Sequence, residues 1–331
     1  MFCLSVEMDL TLHIILLVGG LVILWKSAEL LVAGAVGLAR MFGISSLVVG
    51  LTVVAMGTSA PEVAASIAGV LRNADGGDLA VGNVFGSNIA NLALVGGLIA
   101  LIQPLRVQRK TLLREIPVML LMVLLLWPLL HNQNLSRPEG IILLAVFATL
   151  ISLTVYTARR ESRQPGNQPE SHKPDAEQDK RSAKKNILFV LIGLAGLALG
   201  AKMAVEGAVF IGMEIGLSER VIALTVIAFG TSLPELVTCV VAAIKGHHDI
   251  SVGNLVGSNI FNTLLVTGAA GVVRPFDVTS SLAGGVDYWI MVIVSAAFAG
   301  AIIIGRRTIG RFSGTLLVCA YVGYIIYLFS A

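Results

Sequence analysis

GISSLVVGLTVVAMGTSAPEV (Gly43–Val63) recurs later in the chain as GLSERVIALTVIAFGTSLPEL (Gly216–Leu236), with 12 identities in 21 positions. A second block, Asp78–Gly97, recurs as Asp249–Gly268, with 12 of 20 positions identical. Both copies carry GTSxPE followed by GSNIxN. Apolar helices resemble one another in composition, but they do not share two polar motifs in one order by chance. The chain therefore contains an internal repeat.

The sequence around the repeat is strongly apolar. Apolar residues make up 56% of the 331 positions and charged residues 13%, against about 25% charged in soluble domains. Many apolar runs approach or reach the roughly 20 residues that cross a bilayer as a helix. The pattern predicts ten transmembrane helices, near 10–39, 44–71, 78–102, 112–130, 139–158, 187–213, 218–244, 250–272, 286–305 and 312–330. The lipid bilayer is thus the expected solvent.

One polar segment divides these helices into two groups of five. Residues 159–186 are rich in Arg, Lys, Gln, Glu, Pro and Ser, a composition typical of a linker. We therefore predict a first half at 1–158 and a second half at 187–331. Because five is odd, the second repeat must cross the membrane in the opposite direction. The predicted fold is an all-α membrane protein with ten transmembrane helices in two inverted five-helix repeats.

The distribution of basic residues predicts the orientation. Alternating the loops between the two sides places 17 Lys and Arg on the linker's side and 4 on the other, with 2 inside helices, 23 in all. The positive-inside rule then makes the linker cytoplasmic and both termini external or periplasmic, in a multi-pass protein of the plasma (inner) membrane. The net charge of +3 is explained by these loops and does not indicate nucleic-acid binding.

The first motif arranges oxygen atoms along one face of a helix. Ala55, Thr58, Ser59 and Glu62 fall at i, i+3, i+4 and i+7, and the second motif repeats them as Ala228, Thr231, Ser232 and Glu235. Pro61 and Pro234 lack the amide hydrogen that would bond four residues back, so a kink is expected that frees backbone carbonyls. Carbonyl, hydroxyl and carboxylate oxygens are the ligands that hard cations prefer.

The second block supplies a companion face. Ser87 and Asn91, repeated as Ser258 and Asn262, are spaced by four residues. Asn83 and Asn254 continue these faces, but they suit hydrogen bonds between helices as well as they suit ion binding. Glycines at the same spacing, such as Gly253 and Gly257, favour close approach to the acidic helices.

The two glutamates decide what such a site can do. An ionised carboxylate in the bilayer interior costs about 3 kcal/mol or more, so Glu62 and Glu235 need compensation. Two carboxylates match one Ca²⁺ or two Na⁺, and competition between these ions predicts exchange rather than open conduction.

GTSxPE and GSNxxN, each present twice and in order, resemble the two alpha repeats of the cation/calcium exchanger superfamily, in particular the bacterial and archaeal sodium/calcium exchangers. The resemblance covers essentially the whole chain. It implies counter-transport of Na⁺ and Ca²⁺ without a cofactor, and alternating access by sliding of the first and sixth helices. It also implies a set of cation ligands, the last two by carbonyl oxygen: Thr58, Ser59, Glu62, Ser87, Asn91, Thr231, Ser232, Glu235, Ser258, Asn262, Ala55 and Ala228.

Some relatives, including potassium-dependent ones, carry Asp where this chain has Asn262, which argues against potassium co-transport. The alternative function is a proton-coupled exchanger that uses the same glutamates as proton carriers. An enzyme is not expected, because GxSxG and HExxH motifs are absent from the sequence. Cys3, Cys239 and Cys319 lack disulfide or metal spacing and are interpreted as small apolar fillers. The sequence leaves the oligomeric state open, and a monomer is compatible with it.

Overall fold

The structure, a computed structural model, describes residues 2–72, 76–162, 176–217 and 228–330 and is almost entirely helical. This confirms the predicted all-α class. The helices in chain order are α1 Phe2–Phe42, α2 Ser46–Thr58, α3 Ala60–Arg72, α4 Gly76–Ile102, α5 Thr111–Leu130, α6 Arg137–Ser162, α7 Ala176–Glu214, α8 Ala228–Thr231, α9 Leu233–Ile244, α10 His248–Val273, α11 Val286–Ile304 and α12 Arg311–Ser330.

Most of these helices are long and apolar enough to cross a membrane. Within the described residues, α1, α4, α5, α6, α7, α10, α11 and α12 qualify, and α2 with α3 forms a ninth candidate that is bent by 42°. The shorter helix α9 is also apolar. Residues 218–227, the start of the predicted helix 218–244, lie outside the described residues. The chain is therefore an integral membrane protein, and its described residues contain eight or nine candidate spans.

Burial places α4 and α10 at the centre of the bundle. In each of them, 78% of an apolar stretch of 18 residues is buried, whereas only 17% of the corresponding stretch is buried in α6 and in α12. An apolar helix that leaves most of its side chains uncovered needs lipid around it. The second block of the repeat, which lies on α4 and α10, is thus shielded from lipid.

Small residues set the distance between helices. An added Cβ at Gly257 would lie 2.7 Å from the Leu51 carbonyl oxygen, and one at Gly253 would lie 2.7 Å from that of Leu47. α10 therefore contacts the backbone of α2, as the glycine spacing predicts. α1 and α7 pack in the same way, since a Cβ at Gly20 would lie 2.6 Å from the Ala204 nitrogen.

Buried apolar side chains of the described residues form two separate clusters. The larger cluster contains residues of every helix from α2 through α6 and from α9 through α12. The smaller one lies between α1 and α7 and extends only to parts of α2, α9 and the start of α10. The pair α1–α7 thus has an apolar core distinct from that of the rest of the bundle.

Four two-residue strands connect the halves at the ends of the helices: β1 Leu105–Arg106, β2 Asn134–Leu135, β3 Phe276–Asp277 and β4 Thr308–Ile309. β1 pairs with β4 and β2 pairs with β3, both antiparallel. Each pair joins a loop of the first half to a loop of the second. The sequence analysis did not predict these strands, because two residues are too few to show a period.

The helices flanking the predicted linker are longer than expected. α6 continues to Ser162 and α7 begins at Ala176, so both ends of the predicted linker 159–186 are helical. Arg159 and Arg160 favour helix and can extend a span beyond the bilayer into water. Residues 163–175 lie outside the described residues.

Candidate functional site

The two GTSxPE motifs break their helices in the same way. Ser59, between α2 and α3, has φ −86° and ψ 8°. Ser232, between α8 and α9, has φ −86° and ψ 1°. Pro61 and Pro234 follow two residues later. A proline has no amide hydrogen to donate to the carbonyl four residues earlier, so it weakens the helix at this point. The kink predicted in the first motif is confirmed by its 42° bend, and both breaks fall at equivalent serines.

The structure buries almost all of the predicted site residues away from lipid. Ten of them are at most 4% exposed: Ala55, Thr58, Ser59, Glu62, Ser87, Asn91, Ser232, Glu235, Ser258 and Asn262. Thr231 is partly buried. Ala228 is the first residue of α8, and only its backbone is described.

Hydrogen bonds join the two motifs directly. The Ser59 hydroxyl donates to Glu235 Oε1 at 2.9 Å, and Ser59 Oγ lies 3.0 Å from Ser258 Oγ. Thr58 Oγ1 donates to Asn254 Oδ1 at 3.1 Å. Residues separated by more than 170 positions in the chain thus form one polar cluster. The predicted residues Thr58, Ser59, Glu235 and Ser258 all take part in it or contact it.

The hydroxyl of Ser59 makes two contacts with a single hydrogen. A serine hydroxyl has one hydrogen, and a carboxylate can only accept when ionised. Ser59 can therefore donate to Glu235 Oε1 or to Ser258 Oγ, but not to both at once. Ser59 thus links the acid of α9 to the serine of α10.

Several buried polar atoms have no hydrogen-bond partner among the described residues. They include both Oε atoms of Glu62, Oε2 of Glu235, the Oδ1 atoms of Asn91 and Asn262, and Oγ of Ser232. A buried polar atom without a partner costs about 1–3 kcal/mol. Six such oxygens at predicted site positions match the six to eight oxygen ligands that Ca²⁺ takes. A bound cation would supply the missing partner.

The two carboxyl groups interact electrostatically. Glu62 and Glu235 are fully buried and close enough for a repulsive interaction between like charges. Within the described part of the chain, no cluster of three or more His, Cys, Asp or Glu side chains is suited to a metal. The arrangement therefore combines two acids with neutral oxygen donors, which favours hard cations over transition metals.

A second layer of hydrogen bonds holds each acidic helix against its companion. In the first half, Asn83 Nδ2 donates to Ser66 Oγ at 3.0 Å and to the Glu62 carbonyl at 3.3 Å, and the Ser66 hydroxyl donates to the Ala80 carbonyl at 3.3 Å. Asn83 therefore has the role of a bond between helices, one of the two interpretations that its sequence position allowed.

The second half repeats this layer with sulfur. Asn254 Nδ2 donates to Cys239 Sγ at 3.2 Å, and the Cys239 thiol donates to the Ser251 carbonyl at 3.5 Å. The interpretation of Cys239 as an apolar filler was therefore wrong, because the thiol occupies the position of a hydroxyl. Asn254 also accepts from Thr58, so it connects the second layer to the site. Its equivalence to Asn83 was the available signal in the sequence.

Both site asparagines lie in π-helical turns. Asn91 belongs to the turn Ala90–Val95 inside α4, and Asn262 begins the turn Asn262–Val266 inside α10. Short π segments inside α-helices are frequent at functional sites. The sequence analysis placed these residues on a regular helical face and did not predict the wider turn. Its effect is to alter the direction of the amide side chains relative to Ser87 and Ser258.

A bundle of apolar helices, two broken helices and a buried cluster of acids and neutral oxygens define a class of protein, the integral membrane ion exchangers. A family profile described as sodium/calcium exchanger protein matches residues 12–156 and 185–330. The chain belongs to this family, within the cation/calcium exchanger superfamily of the bacterial and archaeal type. Its members are transporters and not enzymes.

Similar proteins cover nearly the whole chain. The putative antiporter CaxA of Alkalimonas amylolytica is 38% identical, over 96% of this chain and 98% of its own length. The sodium/calcium exchanger MaX1 of Methanosarcina acetivorans is 32% identical, over 97% and 99%. A solved structure of the sodium-calcium exchanger NCX_Mj, soaked without Na⁺ and Ca²⁺, has a TM-score of 0.80 and 29% identity, over 96% of this chain and 99% of its own.

Proposed function

We propose that the protein is a secondary active antiporter that exchanges Na⁺ for Ca²⁺ across the membrane by alternating access. The observation that carries this proposal is the buried cluster in which Glu235 of one broken helix accepts a hydrogen bond from Ser59 of the other. Both acids are fully buried, and the cluster holds unpartnered oxygens from both halves among the described residues.

The proposed cation ligands are the oxygens of the two motif pairs. Glu62 and Glu235 supply charge, and Glu235 Oε1 contacts the neutral donor Ser59 at 2.9 Å. Two carboxylates balance one Ca²⁺ or two Na⁺, so either ion relieves the same repulsion. Exchange follows because an empty pair of buried carboxylates is costly. The full proposed set is Ala55, Thr58, Ser59, Glu62, Ser87, Asn91, Ala228, Thr231, Ser232, Glu235, Ser258 and Asn262, with Ala55 and Ala228 acting through their carbonyls.

We further propose ten spans in two inverted halves, 1–158 and 187–331, joined by a cytoplasmic linker at 159–186. The strand pairs support the inversion. β1 follows α4 and β3 follows α10, its repeat equivalent, while β4 lies one span beyond β3. If both halves ran in the same direction, β1 and β3 would share one side of the membrane and β4 would lie on the other. β1 pairs with β4, so opposite directions fit the structure.

For alternating access, we propose movement of α1 and α7 over the remaining helices. This pair has its own apolar cluster, which extends to parts of α2 and α9 and to the start of α10. Apolar surfaces that interlock less extensively slide more readily than a shared core does. The proposed orientation, with both termini periplasmic in the inner membrane, rests on the bias of Lys and Arg toward one set of loops.

Coupling to protons is the alternative, because buried carboxylates can also carry protons. Sodium is favoured by the GTSxPE form of both motifs and by MaX1, which is named a sodium/calcium exchanger. Reconstituted protein in liposomes should take up Ca²⁺ when a Na⁺ gradient is imposed, and a K⁺ gradient should have no effect. Uptake driven by a pH gradient without Na⁺ would establish proton coupling instead.

Variants test the site within the same assay. Glu62→Gln and Glu235→Gln should each abolish uptake while the protein remains folded and extractable. Glu206→Gln is a matched control, because Glu206 is a half-exposed glutamate that pairs with Lys202 at 3.7 Å. Full transport by both site variants would refute the assigned roles of the two acids.

A further inference from the structure

A cavity of about 560 Å³ lies at one end of the bundle, and none of its lining residues belongs to the GTSxPE or GSNxxN motifs. Its walls come from the loop after α4, the turn between α9 and α10, and the loop between α11 and α12. Three arginines line it, Arg106 from the first half and Arg306 and Arg307 from the second. The proposed exchange of cations uses none of these residues.

The backbone fixes the three arginines beside one another. Arg106 lies opposite Thr308 in the β1–β4 ladder, and the Val107 amide donates to the Arg307 carbonyl at 2.8 Å. Arg306 and Arg307 both have left-handed backbone, with φ 51° and φ 71°. Non-glycine residues in this region carry a cost of about 1–3 kcal/mol. The strand pair therefore holds the backbones of the three arginines close together.

The acids of the described chain do not neutralise this cluster. None of its described ion pairs includes Arg106, Arg306 or Arg307. Asp249 is the acid that lines the cavity, and its Oδ2 already accepts a hydrogen bond from Gln108 Nε2 at 2.7 Å. Three arginines against one acid leave a net positive charge in the cavity.

His247, in the cavity wall, lies near other positive charges. Burial lowers the pKa of His247, and the positive charges of Arg40, Lys245 and His248 lower it further. Of these, His248 also lines the cavity.

The strand pair β2–β3 can be compared with the pair β1–β4 that borders the cavity. There, the Val278 amide donates to the Gln133 carbonyl at 2.9 Å, and Gln133 is also left-handed, with φ 59°. The positions of Arg106 and Arg307 are occupied in that corner by Asp277 and Gln133. Both corners thus contain a left-handed residue, whereas the arginines occur at only one of them. Their presence calls for a separate explanation.

Orientation by the positive-inside rule explains basic loops in general, but it does not require a shared cavity. Exposed apolar side chains also lie close in sequence to the arginine pair: Ile303, Ile304 and Phe312 are 62%, 84% and 78% exposed. A ligand with a negatively charged head and apolar chains would satisfy both surfaces.

We propose that this cavity binds a phosphate group, supplied by the headgroup of an anionic phospholipid. Guanidinium groups bind phosphate oxygens in pairs, and basic pockets between transmembrane helices bind such headgroups. The exposed apolar side chains close in sequence to Arg306 and Arg307 favour the lipid over free phosphate as the source.

Purified full-length protein in detergent tests the proposal through its midpoint of thermal unfolding. The midpoint is followed while dioleoylphosphatidylglycerol, dioleoylphosphatidylcholine or inorganic phosphate is added. The first variant is R106Q/R306Q/R307Q, and the single variant R106Q covers the case in which the triple variant fails to fold. R109Q/R159Q/R160Q is the control, since it removes three exposed arginines of the same predicted side that do not line the cavity.

Phosphatidylglycerol should raise the midpoint of the wild type and of the control variant, and phosphatidylcholine should not. The lipid concentration needed for half of the shift should increase at least about tenfold in R106Q, because one charge-assisted contact is lost. A shift with inorganic phosphate at millimolar concentration would support the site with free phosphate as its ligand. Equal lipid responses in wild type, R106Q and the triple variant would overturn the proposal.

Discussion

Replacing Glu62 by glutamine isolates the charge of the buried site from its shape. Glu62 is fully buried, and neither of its carboxylate oxygens has a partner among the described residues. Glutamine keeps the length and planar end of the side chain and removes one negative charge. We expect Glu62→Gln to fold, to be more stable than the wild type without ions, and to respond weakly to Ca²⁺.

The magnitude follows from the cost of the buried charge. An ionised carboxylate in the bilayer interior costs about 3 kcal/mol, and a cation that offsets this cost gains a similar amount. Loss of one carboxylate should therefore weaken Ca²⁺ binding about 100-fold. At a Ca²⁺ concentration 100 times the wild-type Kd, binding stabilises the wild type by about 2.7 kcal/mol. The same concentration would stabilise the variant by only about 0.4 kcal/mol.

Thermal unfolding of the purified protein, with and without Ca²⁺ in sodium-free buffer, measures this difference. Glu235→Gln should also lose most of the Ca²⁺ response. Its gain in ion-free stability should be smaller, because the Glu235 carboxylate already accepts the Ser59 hydroxyl at 2.9 Å. Glu206→Gln should keep the full response. A full Ca²⁺ shift in Glu62→Gln would refute the assignment of Glu62 as a cation ligand.

Three further predictions concern the packing around the site and its edge. Cys239→Ser should leave the Ca²⁺ response unchanged and alter the free energy of unfolding by less than about 1 kcal/mol, because Ser66 makes the equivalent bonds in the first half. Gly257→Ala should cost about 1–3 kcal/mol in chemical unfolding, since its Cβ would lie 2.7 Å from a carbonyl oxygen of α2. Gly300→Ala, where no described atom lies within 4 Å, should cost nothing. Because the pKa of His247 is lowered in the folded protein, the folded protein binds fewer protons than the unfolded chain and loses stability as pH falls below 6.5. His247→Gln should reduce this loss. Identical pH profiles of the free energy of unfolding in the variant and the wild type would contradict this.

Local features of the sequence predicted most of the fold. Hydropathy placed the spans, since an apolar run of sufficient length is helical in lipid wherever it occurs. Pro61 placed the kink between α2 and α3, because a missing amide hydrogen acts on its own helix. The strand pairs β1–β4 and β2–β3 were missed because they depend on contacts between loops about 140–200 residues apart.

The site was predictable as two faces but not as a set of contacts. Helical spacing showed that Ser59 and Glu62 share a face, and the repeat showed that Ser232 and Glu235 share another. It did not show that Ser59 bonds to Glu235, because that choice depends on how two broken helices pack against α10. The π-helical turns at Asn91 and Asn262 were also missed, since they arise from packing and not from residue type.

The differences between equivalent residues carry more information about mechanism than their identity does. Ser59 and Ser232 occupy the same position in two copies of one motif and have nearly the same backbone angles. Ser59 bonds to an acid of the other half, whereas Ser232 Oγ has no partner among the described residues. The proposed alternating access needs a second state of similar free energy that opens to the opposite side of the membrane. If the two repeats are inverted as proposed, that state would give Ser232 the environment that Ser59 has in this structure.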